Sequence, residues 1–170
     1  MRIYLMGFMS SGKTTHGFQL AKALSLSFLD LDQFIERKTK LSVPELFQTR
    51  GEACFRQLER EALHETFKMH NTVISTGGGA PCFFDNVQSM NKNGITFYLK
   101  LAPQIILKRL KKSTRQRPLL DDKTPEELVV YIKQLLNERQ PFYEQAHYTV
   151  DASNKNATHY ITRILSGYMH

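Results

Sequence analysis

Near its start the chain reads Gly7-Phe8-Met9-Ser10-Ser11-Gly12-Lys13-Thr14, which fits the pattern G-x-x-x-x-G-K-[ST]. Those residue types at that spacing suit the grip of a polyphosphate. Gly7 and Gly12 allow backbone geometry that a Cβ would disfavour, so successive N–H groups can converge on phosphate oxygens. A lysine after the second glycine reaches the β- and γ-phosphates, and the next hydroxyl ligates Mg²⁺. Gly7, Ser10, Ser11, Gly12, Lys13, Thr14 and Thr15 are therefore the candidate nucleotide contacts, with Thr14 also a metal ligand. The setting agrees. Ile3-Tyr4-Leu5-Met6 reads as a buried strand, and Phe18, Leu20, Ala21 and Leu24 carry a helical spacing. Strand, glycine turn and helix is the context this motif requires, and the helix adds the positive end of its dipole. The competing reading is an ordinary Gly/Ser-rich turn with an exposed lysine.

Three further clusters carry chemistry. In Leu26-Ser27-Phe28-Leu29-Asp30-Leu31-Asp32 the front half reads as a strand with acids gathered at its end. In extended chain Asp30 and Asp32 would project to one side, at the sheet edge where open α/β folds bind ligands. Two carboxylates there suit a Mg²⁺–phosphate site; alternatively they are acids that start a helix. Arg56 lies four residues after Glu52 and three before Glu59 on a charged helix, residues 52–68. By itself that is a surface ion-pair ladder of small value. Gly77-Gly78-Gly79 follows the strand-like run 72–76. It either lets backbone approach a ligand closely or makes a tight loop without one.

The elements that must position these groups follow in order. Phe34, Ile35 and Lys38 continue as a helix after the acidic pair. Ser42-Val43-Pro44-Glu45 has the form of a capped helix start, and Gly51 ends that helix. A helix is expected over residues 85–93, with Gly94 as its stop, then a strand over 95–99. Pro103 opens a helix with a basic end, and residues 111–123 form a polar, basic excursion long enough to be a lid. Thr124-Pro125-Glu126-Glu127 caps another helix, which carries Arg139 and is expected to kink near Pro141. Tyr148-Thr149-Val150-Asp151 is a fifth strand, and Ala157–Ser166 a last helix. Strands alternating with helices predict a five-stranded parallel sheet covered on both faces, with right-handed crossovers.

Composition bounds the rest. At 170 residues and 41% apolar content the chain reads as one domain, with about 70% of its unfolded surface buried. Cys54 and Cys82 form no C-x-x-C and suggest a reduced, cytoplasmic chain in which each packs as a small residue. No signal peptide pattern is visible, and no apolar run approaches the ~20 residues of a membrane span. A net charge of +7 attracts nucleic acid or anionic small molecules. The densest basic run, Lys108 to Arg117, has no nucleic-acid-binding motif beside it, so neither nucleic acid nor membrane is an expected partner. A phosphate loop, paired acids, a glycine turn and a basic lid are the parts of ATP-dependent phosphoryl transfer to a small molecule, where positioning and charge do most of the work.

The order of motifs resembles the shikimate kinase family from the first strand to the last helix. The pieces are Gly7–Thr14, Leu29-Asp30-Leu31-Asp32, Gly51-Glu52-Ala53-Cys54-Phe55-Arg56-Gln57-Leu58-Glu59, Ser75-Thr76-Gly77-Gly78-Gly79, Arg117-Pro118-Leu119-Leu120 and Arg139-Gln140-Pro141-Phe142-Tyr143. The resemblance implies a fold like that of nucleoside monophosphate kinases, with sheet order 2-3-1-4-5. It implies substrate-binding helices within about residues 32–67, a mobile lid at about 111–123, and transfer from MgATP to the 3-hydroxyl of shikimate by a monomer. Asp32 would then contact the substrate hydroxyls as base or orienting group, and Asp30 would sit nearer Mg²⁺. Arg56 and Arg139 would hold the shikimate carboxylate, Glu59 would support them, and Gly77, Gly78 and Gly79 would pack against the ring. Lys13 and Arg117 would stabilise charge on the transferred group. Arg109 and Asn154 are the candidates for the adenine contact. Ser10 departs from the family, which commonly has a third glycine there. The alternatives are another small-metabolite kinase, such as one for gluconate, or a basic nucleotide- or nucleic-acid-binding module.

Overall fold

The structure, a computed structural model, describes residues 1–112 and 123–168. Its strands are β1 (Arg2–Met6), β2 (Ser27–Asp30), β3 (Thr72–Ser75), β4 (Ile95–Lys100) and β5 (Tyr148–Asp151). All four pairings are parallel, and the sheet runs β2-β3-β1-β4-β5, as the resemblance implies. The helices are α1 (Lys13–Leu24), α2 (Leu31–Thr39), α3 (Val43–Thr66), α4 (Asn86–Asn93), α5 (Pro103–Lys112), α6 (Pro125–Tyr143) and α7 (Ala157–Ser166). A short 3₁₀ turn, Ala80–Cys82, follows the glycines, and the sequence pattern had not signalled it.

Successive residues of the central strands point to opposite faces, yet Ile3 to Met6 and Thr72 to Ser75 are all buried. Both faces of the sheet are therefore covered, as parallel sheets require. Connections leave β1 toward β2 on one side, and β4 and β5 lie on the other. The crevice at the carboxyl ends of the strands, where connections diverge, is the place such sheets bind ligands.

Local chemistry sets where the helices begin. Ser42 and Glu45 form a reciprocal capping box at the start of α3, and Thr124 and Glu127 repeat it at α6. Gly51, at φ 79° and ψ 167°, breaks α3 into two helical stretches, as expected from sequence. Pro141 instead sits inside α6, which runs on to Tyr143. It falls in the last turn, where the loss of one backbone donor has little helix left to disrupt.

The acidic pair needs a correction. β2 stops at Asp30, and Asp32 already lies in the first turn of α2, so the two do not share one face of an extended strand. Asp30 caps α2 by accepting from the backbone N–H of Gln33 at 3.3 Å. Capping, rather than strand alternation, sets the relation of the two carboxylates.

Candidate active site

The carboxyl ends of β1, β2 and β3 open into a cavity of about 570 Å³. At one end is the phosphate loop. Gly7 adopts φ 148°, and a Cβ there would lie 2.7 Å from the Leu99 carbonyl oxygen. Gly12 takes φ 94° and caps α1. Ser10 is also left-handed, at φ 61°, a conformation in which a glycine would carry no penalty. The buried Lys13 ammonium donates to the carbonyls of Gly7 at 2.8 Å and Phe8 at 2.9 Å. Ser10, Gly12, Lys13, Thr14 and Thr15 line the cavity, whereas Gly7 and Ser11 lie behind them and shape the loop.

The Thr14 hydroxyl donates to Asp30 Oδ2 at 2.8 Å. A hydroxyl and a carboxylate at the foot of a phosphate loop are hard oxygen donors, the set that Mg²⁺ prefers. The residues present thus fit the ion. Arg109 lines the cavity as well, and its Nη1 donates to the Ser10 carbonyl at 3.0 Å. Asn154 does not line it; its Oδ1 accepts from the Asn156 N–H on the surface. Arg117 lies outside the described residues.

At the other end stand Asp32, Arg56, the glycine turn and Arg139. Arg56 makes the ion pairs that its helical spacing suggested, to Glu59 at 2.8 Å and to Glu52 at 3.0 Å. They are no surface ladder: the Arg56 side chain is 6% exposed and that of Glu59 1%. Three aromatic rings also surround the guanidinium, with Phe83 nearest at 4.2 Å from the ring centroid, then Phe55 at 5.2 Å and Phe47 at 5.8 Å. Arg56 is therefore fixed in place and keeps its charge.

Burial pushes the Glu59 carboxyl up to about 7, against the pull of Arg56, and the negative charge of Asp32 adds to the rise. Its Oε2 is paired to Arg56, while Oε1 is buried with no hydrogen-bond partner among the described residues. That oxygen faces Gly77. A Cβ on Gly77 would lie 2.5 Å from Glu59 Oε1 and 2.9 Å from Asp32 Oδ1, and one on Gly79 2.6 Å from Arg56 Nη1. One on Gly78 would come 3.2 Å from the Met9 nitrogen. The three glycines are thus demanded by space: charged side chains and the phosphate loop pack directly against them.

Sequence reasoning missed several parts of this site. Sequence alone assigns Phe47 no role and Phe55 only a place in the Gly51–Glu59 motif, yet both line the cavity and flank Arg56. His16 also lines it, with Nδ1 3.0 Å from Thr158 Oγ1. Burial, with the charge of Arg109 beside it, lowers the affinity of His16 for a proton. Only its place just beyond the loop signalled it.

A family model described as shikimate kinase matches residues 9–168. The chain belongs to the shikimate kinase family. The shikimate kinase of Bacteroides thetaiotaomicron is 49% identical over 152 residues, covering 89% of this chain and 87% of that one. That of Caldanaerobacter subterraneus is 40% identical over 167 residues, covering 98% of this chain and 95% of that one. Among solved structures, the Bacteroides thetaiotaomicron shikimate kinase superposes with a TM-score of 0.90 at 43% identity, covering 100% of this chain and 99% of that one. The Acinetobacter baumannii shikimate kinase in complex with shikimate gives a TM-score of 0.86 at 36% identity, covering 99% of this chain and 95% of that one. A deoxyadenosine kinase from M. mycoides, at a TM-score of 0.65 and 19% identity, shares the fold alone.

Proposed function

We propose that the chain transfers the γ-phosphoryl group of MgATP to the 3-hydroxyl of shikimate, giving shikimate 3-phosphate and ADP. The observation that carries this reading is one cavity with two unlike ends. A phosphate loop stands at one end, and Arg56, Arg139 and Asp32 stand around a glycine turn at the other.

The roles follow from the groups. Two guanidinium groups suit a carboxylate, which each can grip through paired N–H donors. Fixing the carboxylate orients the ring, and Gly77–Gly79 leave room for the ring to lie against backbone. Asp32 then orients the attacking hydroxyl and accepts its proton as the new O–P bond forms and the bond to the leaving ADP oxygen breaks. Lys13 turns from the loop carbonyls to the β/γ-phosphates when a nucleotide fills the loop. Thr14 and Asp30 would hold Mg²⁺, which supplies charge neutralisation on the phosphates when bound. Arg109 contacts the adenine side of the nucleotide, and Arg117 supplies further positive charge to the transferred group. Asn154 is left without a part in this reading.

No described helix is long and apolar enough to cross a membrane. We take the enzyme to work in the cytoplasm as a monomer, without nucleic acid. A panel assay of coupled ADP release tests the substrate. Release with shikimate, and none with gluconate or quinate, is the expected result; release with another hydroxy acid but none with shikimate refutes it.

A further inference from the structure

Arg139 and Tyr143 stand four residues apart on α6 and so share one face of that helix. The Tyr143 ring is fully buried and stacks on Tyr98 of β4, with ring centroids 5.1 Å apart. Its hydroxyl donates to the carbonyl oxygen of Gly78 at 2.5 Å. That carbonyl belongs to the glycine turn, beside the Arg139 guanidinium: a Cβ on Gly78 would sit 3.8 Å from Arg139 Nη1 and 3.2 Å from the Met9 nitrogen of the phosphate loop. One hydroxyl thus joins the helix that carries Arg139 to the glycine turn packed beside that arginine.

We propose that Tyr143 is a positioning residue of the acceptor site: its hydroxyl ties the Gly77–Gly79 turn to the helical turn bearing Arg139 and sets the spacing of those two walls. The proposal rests on the assignment of this cavity to shikimate. The tie is a fixed one. Burial pushes the phenol far above its ordinary titration range, so the proton stays on the hydroxyl as a donor throughout neutral pH. The neighbouring Cys82 thiol is likewise pushed up to about 11 by burial and stays neutral beside it. At neutral pH neither the phenol nor the thiol loses its proton, and the stack on Tyr98 holds the ring that carries the hydroxyl.

The substitution Tyr143→Phe tests this, because it removes one oxygen and keeps the ring and its stack. Misplacing one wall of a carboxylate grip by a fraction of an ångström weakens acceptor binding and leaves the phosphate end intact. The expected result is a shikimate KM about 10-fold higher, with ATP KM within about 2-fold and kcat within about 3-fold of wild type. In an Arg139→Ala background the same change adds less than about 2-fold to shikimate KM, because the tie has lost what it positions. A shikimate KM for Tyr143→Phe within about 2-fold of wild type, even with a lowered Tm, overturns the proposal, as does full additivity with Arg139→Ala. Wild-type enzyme is assayed alongside: if it releases no ADP with shikimate, the assignment of the cavity fails rather than the tie.

Discussion

At the phosphate loop the positive-φ backbone at Gly7, Ser10 and Gly12 shapes the cavity wall. At the acceptor end it is made of charged side chains, Asp32, Arg56, Glu59 and Arg139, three of them buried. The difference matches what each end must do. A polyphosphate offers many equivalent oxygens, so converging N–H groups serve, and almost any side chain can occupy the x positions. An acceptor with one carboxylate and several hydroxyls needs groups of defined direction. Here these are supplied by side chains held by their neighbours: Arg56 by two carboxylates and three rings, and the glycine turn by Tyr143. Substitutions at the acceptor end should therefore change acceptor kinetics and spare the nucleotide, whereas changes at the loop's x positions should do little.

The largest effect is expected at Asp32. Replacing it with Asn keeps its size and removes its capacity to take a proton. A kcat about 10²- to 10⁴-fold lower is expected, with ATP affinity within about 3-fold. Unchanged kcat in steady-state assays would remove Asp32 from the reaction. Arg139→Ala comes next. Loss of one of two guanidinium groups should raise shikimate KM about 10²-fold while ATP KM stays near wild type, and equal losses for both substrates would erase the contrast between the two ends.

Glu59 gives a pH test of the buried acceptor end. Its native carboxyl titrates near 7, above the 4.5 of an ordinary glutamate. A raised carboxyl contributes stability that is fully present below the unfolded value and is lost as pH rises through the native one, because the unfolded chain sheds the proton first. Glu59→Gln lacks that loss. Relative to wild type it should gain on the order of 2 kcal/mol in urea unfolding between pH 5 and pH 8. An offset that does not vary with pH would contradict the shift. Ser10→Gly should have the smallest effect. Relief of the left-handed strain and the added freedom of the unfolded chain oppose one another, so stability should change by less than about 1 kcal/mol. ATP KM should stay within about 2-fold, and a large loss of nucleotide affinity would show that the Ser10 side chain, not its backbone, serves the site.

The sheet, its order and nearly all of its helices were legible in the sequence because capping boxes, glycine stops and apolar runs are local signals. The phosphate loop was legible for the same reason: Gly7 to Thr14 is a continuous stretch. The acceptor end was only partly so. Arg56, Gly77–Gly79 and Arg139 come from three separate elements, and their own spacing said ion-pair ladder, loop and helix. It was the ordered set of motifs that brought them together. What stayed hidden depends on packing between distant segments. Nothing local marks Phe83 as the ring over Arg56, or Tyr143 as the donor to Gly78. The acidic pair misled for the opposite reason. Asp30 and Asp32 do meet the cavity, but through a helix that the strand's last residue caps, not through strand alternation.

The central claim is that the two ends of this cavity hold ATP and shikimate for direct transfer between them. Phosphorus NMR of the purified enzyme with MgATP and shikimate tests it most directly. The account predicts a new phosphate monoester signal, coupled to the proton on carbon 3 of shikimate, growing in step with ADP. ADP formed with inorganic phosphate alone, or an ester at another hydroxyl, would contradict it.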